Sequence, residues 1–422
     1  MKYRIPYGDD FIEVEVPEER VVAVIEPKKV DGVGDEDAEI ERALENPIGS
    51  KRLEELASGR KDVMLIVDDI TRPTPVYKVM PQVLDRLNKV GIKDENITVM
   101  VALGTHRPMT REEMEKKIGK EVVDRIKVMQ HEWWRDEILI DLGKTSSGIP
   151  IRVNKYVVEA DLKIGIGYVA PHCRKGFTGG GTIIQPGVCG PETSGYTHWI
   201  ASKHGLERML GKIDNPMRKE IDEIAEKVGL AFVINTVLNV RNEIVKVVAG
   251  DFVRAHREGV REALKVCAVE IPERADVMIA DSHPADMDMW QAVKGLRTAL
   301  LATKSGGSMA FITPCQEGVS ESHPEVVEYG YRPFEEVRRL WTEGKIKDLL
   351  AAADISLTPI YKLKGCWLFS EGISREDAVK LGFNHAETPQ EAVDKAIGSQ
   401  PPDAKIAIMR YSAEILPLIK RA

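Results

Sequence analysis

The feature that most constrains this chain is a series of short apolar runs, each followed by a polar loop and a helix-like stretch. "KDVMLIV" (61–67) leads into "DDITRPTP" and then "VYKVMPQVLDRLNKVG". "NITVMVAL" (96–103) leads into "GTHRPMT" and a helix from about residue 111, whose start carries the capping-box pair Thr110 and Glu113. "ADLKIGIGYV" (160–169) leads into "APHCRKGFTGGG". Strands that are apolar on both faces, alternating with helices, belong to a parallel sheet covered on both sides. A second series starts near residue 270, with "ADVMIAD", the helical "MDMWQAVKGLRTALLATKSG", the strand "GSMAFITPC" and a late strand "AKIAIMR". Between the two series, helical stretches flank a hairpin-like "AFVINTVLNVRNEIVKVVAG", and the N-terminus "YRIPYGDDFIEVEVPEE" reads as a small hairpin. The expected fold is therefore α/β: two α/β domains with parallel sheets. Residues 1–268 form the first and 269–422 the second, with "AEILPLIKRA" expected as a last helix, about 412–422, packing back on the first.

Composition narrows the function. A net charge of −8 argues against a general nucleic-acid or anionic-membrane binder. No apolar run reaches the roughly 18 residues needed to span a bilayer. The opening segment lacks the apolar stretch of a signal peptide. Five scattered cysteines (173, 189, 267, 315, 366) without CxxC spacing suggest reduced thiols. The expectation is a cytoplasmic protein without a disulfide framework or structural zinc.

In open parallel sheets, ligands bind beyond the carboxyl ends of the strands. Those ends carry Asp68, Asp69 and Arg72, then His106 and Arg107, then His172 and Arg174, and in the second series His283 and Asp286. Histidines in corresponding loops suit proton transfer near neutral pH. Arg72, Arg107, Lys294 and Gln291 could hold a carboxylate or phosphate, and Gln291 and Lys294 share one helix face. Cys173 either lines a pocket or is simply buried, and His131, His204, His256, His323 and His385 read as surface or packing residues. "GFTGGGTIIQPG" (176–187) packs five glycines into an uncharged stretch and would let backbone approach a ligand closely. It lacks the order of a phosphate-binding P-loop, and "GIGYVA" is not a dinucleotide fingerprint.

With "DDITRP", "GTHRPMTREEM", "PHCRKGFTGGG", "YTHW" and "WQAVKGL" in this order, the chain resembles the nickel-pincer lactate racemase family over most of its length. The resemblance implies two α/β domains with the active site in the cleft between them. It also implies nickel held by a pyridinium-derived nucleotide with two sulfur-bearing groups. The α-hydrogen of a 2-hydroxy acid moves as hydride, while a histidine takes the hydroxyl proton. On that resemblance His106 and His172 are the acid–base histidines and His198 is the single protein ligand to nickel. Asp69, Arg72, Gly179, Gly180 and Thr182 contact or shape the cofactor site. Trp290, Gln291 and Lys294 meet the substrate, Trp290 standing where lactate racemases usually carry tyrosine. Proteins that make the cofactor and insert nickel would be partners, alongside a small 2-hydroxy acid.

One position departs from the pattern. Lactate racemases typically read "GFSGGRK", and that lysine carries the cofactor as a covalent thioamide; here Gly181 and Thr182 stand in the last two places. Lys175 lies before the glycine turn and is read as pointing elsewhere. The expectation is a racemase or epimerase whose cofactor binds noncovalently. The alternatives are a divergent redox or lyase enzyme on a related acid, or a noncatalytic binding protein of the same fold.

Overall fold

The chain, as a computed structural model, is described over residues 1–420; the last two residues of the expected C-terminal helix lie outside them. The first series forms one six-stranded sheet in the order Ile244–Gly250, Leu230–Leu238, Leu162–Tyr168, Val63–Asp68, Ile97–Ala102, Lys127–Gln130. All neighbours run parallel except the hairpin Leu230–Leu238 and Ile244–Gly250. The chain enters at Val63–Asp68, runs outward to Lys127–Gln130, then returns to the other side of its starting strand. Between Val63–Asp68 and Leu162–Tyr168 the crossovers therefore leave in opposite directions, and the loops part into a crevice. Leu65, Ile66, Val67, Val99, Val101, Ile164 and Ile166 are wholly buried, which is why these strands read as continuous apolar runs.

The second sheet is parallel throughout, in the order Asn384–His385, Gly365–Phe369, Thr303–Ile312, Ala275–Ala280, Ile406–Met409, Val21–Ile25. The helix expected over 287–306 is Met289–Leu301, and "TKSG" already belongs to the next strand.

Both chain ends correct the expected division. Val21–Ile25 is the edge strand of the second sheet, paired with Ile406–Met409, and the hairpin Lys2–Tyr7/Asp10–Glu15 buries Ile5 and Val14 against Ile279 and Ile408 of that sheet. Residues 2–25 thus belong with the second series and not with residues up to 268. The expected last helix is instead a 3₁₀ turn, Ser412–Glu414, and a strand, Leu416–Ile419, parallel to Ala268–Ile271. Pro417 explains the failure, because a proline inside a helix removes a hydrogen bond and clashes with the preceding turn.

This C-terminal segment is stitched to the end of the central strand Ala275–Ala280. The Asp281 carboxylate accepts the N–H groups of Tyr411 at 2.9 Å and His283 at 2.7 Å, and the Ser412 hydroxyl donates to the Asp281 carbonyl. Burial still outweighs these bonds and pushes the Asp281 carboxyl from its usual 3.8 up to about 7. The folded state therefore keeps a proton that the unfolded chain has released, so this group's contribution falls as pH rises from about 4 to 7. Chemical unfolding across that range should show a slope of up to about 1.4 kcal/mol per pH unit that Asp281→Asn removes. An identical slope in the variant would show that Asp281 is ionised throughout.

Candidate active site

The crevice of the first sheet is closed by helix Met289–Leu301 and by helix Pro191–His204 into one cavity. It brings together His106, His172, His198, Asp69, Arg72, Gly179, Gly180, Thr182, Trp290, Gln291 and Lys294, from segments far apart in the chain.

His106 is held from both sides. Its Nδ1 lies 2.5 Å from the buried Asp69 carboxylate, which also accepts from the Thr71 hydroxyl at 2.5 Å. His106 and Arg72 hold the Asp69 carboxyl well below the usual carboxylate range in spite of burial. Asp69 thus orients a histidine while also lining the cavity. On the other side, Gln291 Nε2 stands 3.0 Å from His106 Nε2, while Gln291 Oε1 accepts from Arg72 at 3.2 Å and from Lys294. Two cationic donors fix the amide oxygen, so the amide N–H must face His106. A neutral His106 then carries its proton on Nδ1 and offers a lone pair at Nε2.

His172 has the opposite arrangement. Its Nδ1 accepts the backbone N–H of Arg174 at 3.1 Å, so the neutral ring carries its proton at Nε2. Burial, with Lys175 and Lys294 nearby, holds its pKa well below the usual histidine value. His198 donates from Nδ1 to the Ser194 carbonyl one turn earlier, 2.7 Å away. A carbonyl only accepts, so the Nε2 lone pair is free, as a metal-ligating imidazole requires. Burial and the charges of Arg174 and Lys175 keep this ring neutral.

The glycine loop is packed into the interior. Gly179 and Gly180 have φ of +84° and +59°, and a Cβ on Gly180 would lie 2.8 Å from the Phe252 carbonyl. A Cβ on Gly176 would strike the Lys212 carbonyl. The glycines thus admit close approach of the protein's own backbone, where the sequence suggested approach to a ligand. The Gly180 N–H donates to Asn235 at 2.9 Å, and buried Arg218 donates to the carbonyls of Lys175, Phe177 and Gly179.

Several expected participants stand apart. Arg107 is taken up by Glu113 and Glu317 and faces a neighbouring cavity. His283 pairs with Asp286 at 3.0 Å and packs edge-on against Tyr411, away from the cavity lining. Cys173 is buried, with the Arg297 guanidinium 3.7 Å from its sulfur, and does not line the cavity. Lys175, read from the sequence as pointing elsewhere, does line it and is buried. His323, read as packing, stacks on Trp290 with ring centroids 4.1 Å apart, and bonds Thr105 at 3.0 Å and Asp348 at 2.5 Å. No local signal marked His323, since its partners come from three separate segments. The adjacent cation Arg174 was the available hint for Lys175.

A parallel α/β framework with a cation-rich cavity, two histidines of opposite tautomer and a third imidazole free to ligate makes a site equipped to hold an anion and to give and take protons. Comparison with known proteins narrows the class. The lactate racemase N-terminal domain family matches residues 7–209. The lactate racemase of Thermoanaerobacterium thermosaccharolyticum is 33% identical over 323 residues, 74% of each chain. That of Lactiplantibacillus plantarum is 34% identical over 285 residues, 66% of each. The solved lactate racemase apoprotein from T. thermosaccharolyticum superposes with a TM-score of 0.87 at 27% identity, covering 99% of this chain and all of that one. A Thermotoga maritima protein shares the fold, with a TM-score of 0.72 at 22% identity over 89% of this chain and all of that one. The chain belongs to the lactate racemase family, and it is an isomerase of the racemase class. Among its described residues no helix is long and apolar enough to cross a membrane.

The His106 geometry gives a direct test. Asp69→Asn removes the charge that holds the proton on Nδ1, so ring ¹⁵N shifts should report a move of that proton toward Nε2. Racemase turnover should fall roughly 10²- to 10⁴-fold. Unchanged shifts and turnover would mean that Asp69 does not set the tautomer.

Proposed function

We propose that this racemase inverts a small 2-hydroxy acid in the cytoplasm, using nickel and a noncovalently bound pyridinium-type nucleotide supplied by cofactor-synthesis and nickel-insertion proteins. The observation that carries the reading is the His106–Asp69 pair, with its Nε2 lone pair turned into the same cavity as the free Nε2 of His198. The residues fit the group. Among the described residues no three His, Cys, Asp or Glu side chains converge, so a metal on His198 takes its other donors from outside the chain. The Ser194 hydroxyl, which lines the cavity one turn before His198, is buried without a partner. Thr182 offers a hydroxyl and no amine, which supports a noncovalent hold.

When bound, such a cofactor supplies the acceptance and return of hydride. The chain's own residues do the rest. Arg72 and Lys294, joined through Gln291, hold the substrate carboxylate. His106 takes the hydroxyl proton at Nε2, and Asp69 stabilises the imidazolium that results. The N–H at Nε2 of His172 hydrogen-bonds the substrate oxygen and stays on the ring, and the His106 imidazolium would give its proton back to that oxygen when the product forms. Turnover in the opposite sense exchanges these roles, and then the Arg174 N–H must release His172 Nδ1. Trp290, stacked on His323, occupies the place usual for tyrosine, which favours a substrate other than lactate.

Single enantiomers of lactate and of larger 2-hydroxy acids, incubated with loaded protein and read by chiral chromatography, should drift to a mixture of both forms. An oxidised or dehydrated product would favour the redox or lyase alternative. His106→Ala and His172→Ala should each lower racemisation roughly 10²- to 10⁴-fold with the fold retained; full activity in both would defeat the two-histidine reading.

His198→Ala should abolish bound nickel, because a neutral imidazole is the one ligand the chain contributes. The wild-type chain should return to its unmodified mass on denaturation. Undiminished nickel in the variant would refute the ligand assignment.

A further inference from the structure

Four cationic side chains line the cavity, and three of them have acceptors in the protein. Arg174 donates to Asp354, Arg72 to Thr71 and Gln291, and Lys294 to Gln291. The fourth is Lys175. It is 5% exposed, and among the described residues its ammonium makes no hydrogen bond and no ion pair, although it lines the cavity. Its backbone, by contrast, is fixed: Arg218 donates to its carbonyl at 3.3 Å, and its N–H approaches His172 Nδ1 at 3.5 Å. The nearby carboxylates are engaged elsewhere, Asp68 with Lys117, Asp69 with His106 and Asp354 with two arginines. An amine buried without a partner either remains an unpaired ammonium at high cost or gives up its proton. An anion from outside the chain is the partner that would hold it charged.

We infer that Lys175 is the counter-ion of the bound cofactor, pairing with the acid group that a lysine at position 182 would have condensed into a thioamide. The inference rests on the noncovalent reading above. With threonine at 182 that acid stays unreacted, and it is anionic at neutral pH. An anion buried in this cavity needs a cation, and Lys175 belongs to the same loop as Thr182, on the other side of the glycine turn. The substrate carboxylate already has Arg72 and Lys294, presented with Gln291 on the helix side. Burial, together with Arg72, Arg218 and Lys294, holds the Lys175 pKa well below its usual range, a cost that an arriving anion offsets.

The test uses protein produced with the cofactor-synthesis and nickel-insertion proteins. Cofactor per chain is measured by native mass spectrometry, and nickel per chain by elemental analysis, before and after dialysis. Lys175→Met should hold the cofactor roughly ten- to a hundredfold more weakly than wild type, while Lys175→Arg keeps most of it. Without cofactor, Lys175→Met should melt at or above the wild-type temperature, because a buried amino group without a partner has been removed. Lys175→Gln serves as a second neutral variant if the methionine protein does not fold. Cofactor retention equal to wild type in the neutral variants overturns the inference. So does a denatured wild-type chain carrying the cofactor less one water on Lys175, which would make this lysine a covalent anchor. A neutral variant that keeps its cofactor and only raises the substrate KM assigns Lys175 to the substrate instead. A clearly lower melting temperature of the cofactor-free variant would make the lysine structural. Wild-type protein that takes up no cofactor removes the cofactor reading and this inference together, whereas loaded wild type beside an indifferent variant removes this inference alone.

Discussion

A carboxylate with no solvent exposure, Asp354, stands between two guanidinium groups, and the geometry of the site depends on it. Arg297, on the helix that carries Gln291 and Lys294, donates to it at 2.7 Å; Arg174, on the loop that carries His172 and Lys175, donates to the same oxygen. Asp354 itself sits on helix Leu349–Ser356, which packs against the His198 helix, where the Ser202 hydroxyl donates to the Ala353 carbonyl at 2.7 Å. One buried ion cluster therefore ties together the three segments that carry His172, His198, and Gln291 with Lys294. The two arginines and burial act in opposite directions on Asp354, and the arginines prevail, keeping its carboxyl below the usual range. Removing either partner would leave a buried charge uncompensated, which typically costs about 3–5 kcal/mol.

Much of this was legible in the sequence because the signals are local. Apolar runs followed by polar loops located the parallel strands, and a capping box located a helix start that the structure bears out at Thr110 and Glu113. What escaped was non-local. Val21–Ile25 has no feature in its own neighbourhood that assigns it to a partner strand nearly four hundred residues away. The C-terminal run offered apolar residues at helical spacing, and periodicity outweighed Pro417, which was the better signal. His323 and Asp354 could not be identified at all. Each is an ordinary polar residue in a helix or loop, and their importance arises only from elements that meet in three dimensions.

The glycine-rich stretch shows the same limit from another side. Five glycines with no charge look like a ligand loop when read along the chain. In the structure they allow the loop to dive beneath the helices Pro216–Val228 and Arg254–Cys267, where charges would be buried and side chains would collide. Arg218 and His256 then satisfy its carbonyls from behind. The loop is rigid because its polar groups are answered by protein. It lines the cavity with Gly179 and Gly180 and places His172, Lys175 and Thr182 beside them.

Charge balance joins these points. A folded domain ordinarily pairs its buried cations, and this chain does so for Arg86, Arg297 and Arg218 by means of carboxylates and carbonyls. Around the cavity it does so only in part, with Asp354 for Arg174 and the Thr71 carbonyl for Arg72. Arg72 and Lys294 share a single amide oxygen, and that amide is itself the contact that shields His106 Nε2. An anion arriving at Arg72 and Lys294 competes for the donors that hold the Gln291 oxygen. On the function proposed above, donors that turn to the ligand would loosen the amide that covers His106 Nε2, and so uncover the base. On that reading, the donors gathered around one amide oxygen are what would couple anion binding to the uncovering of His106.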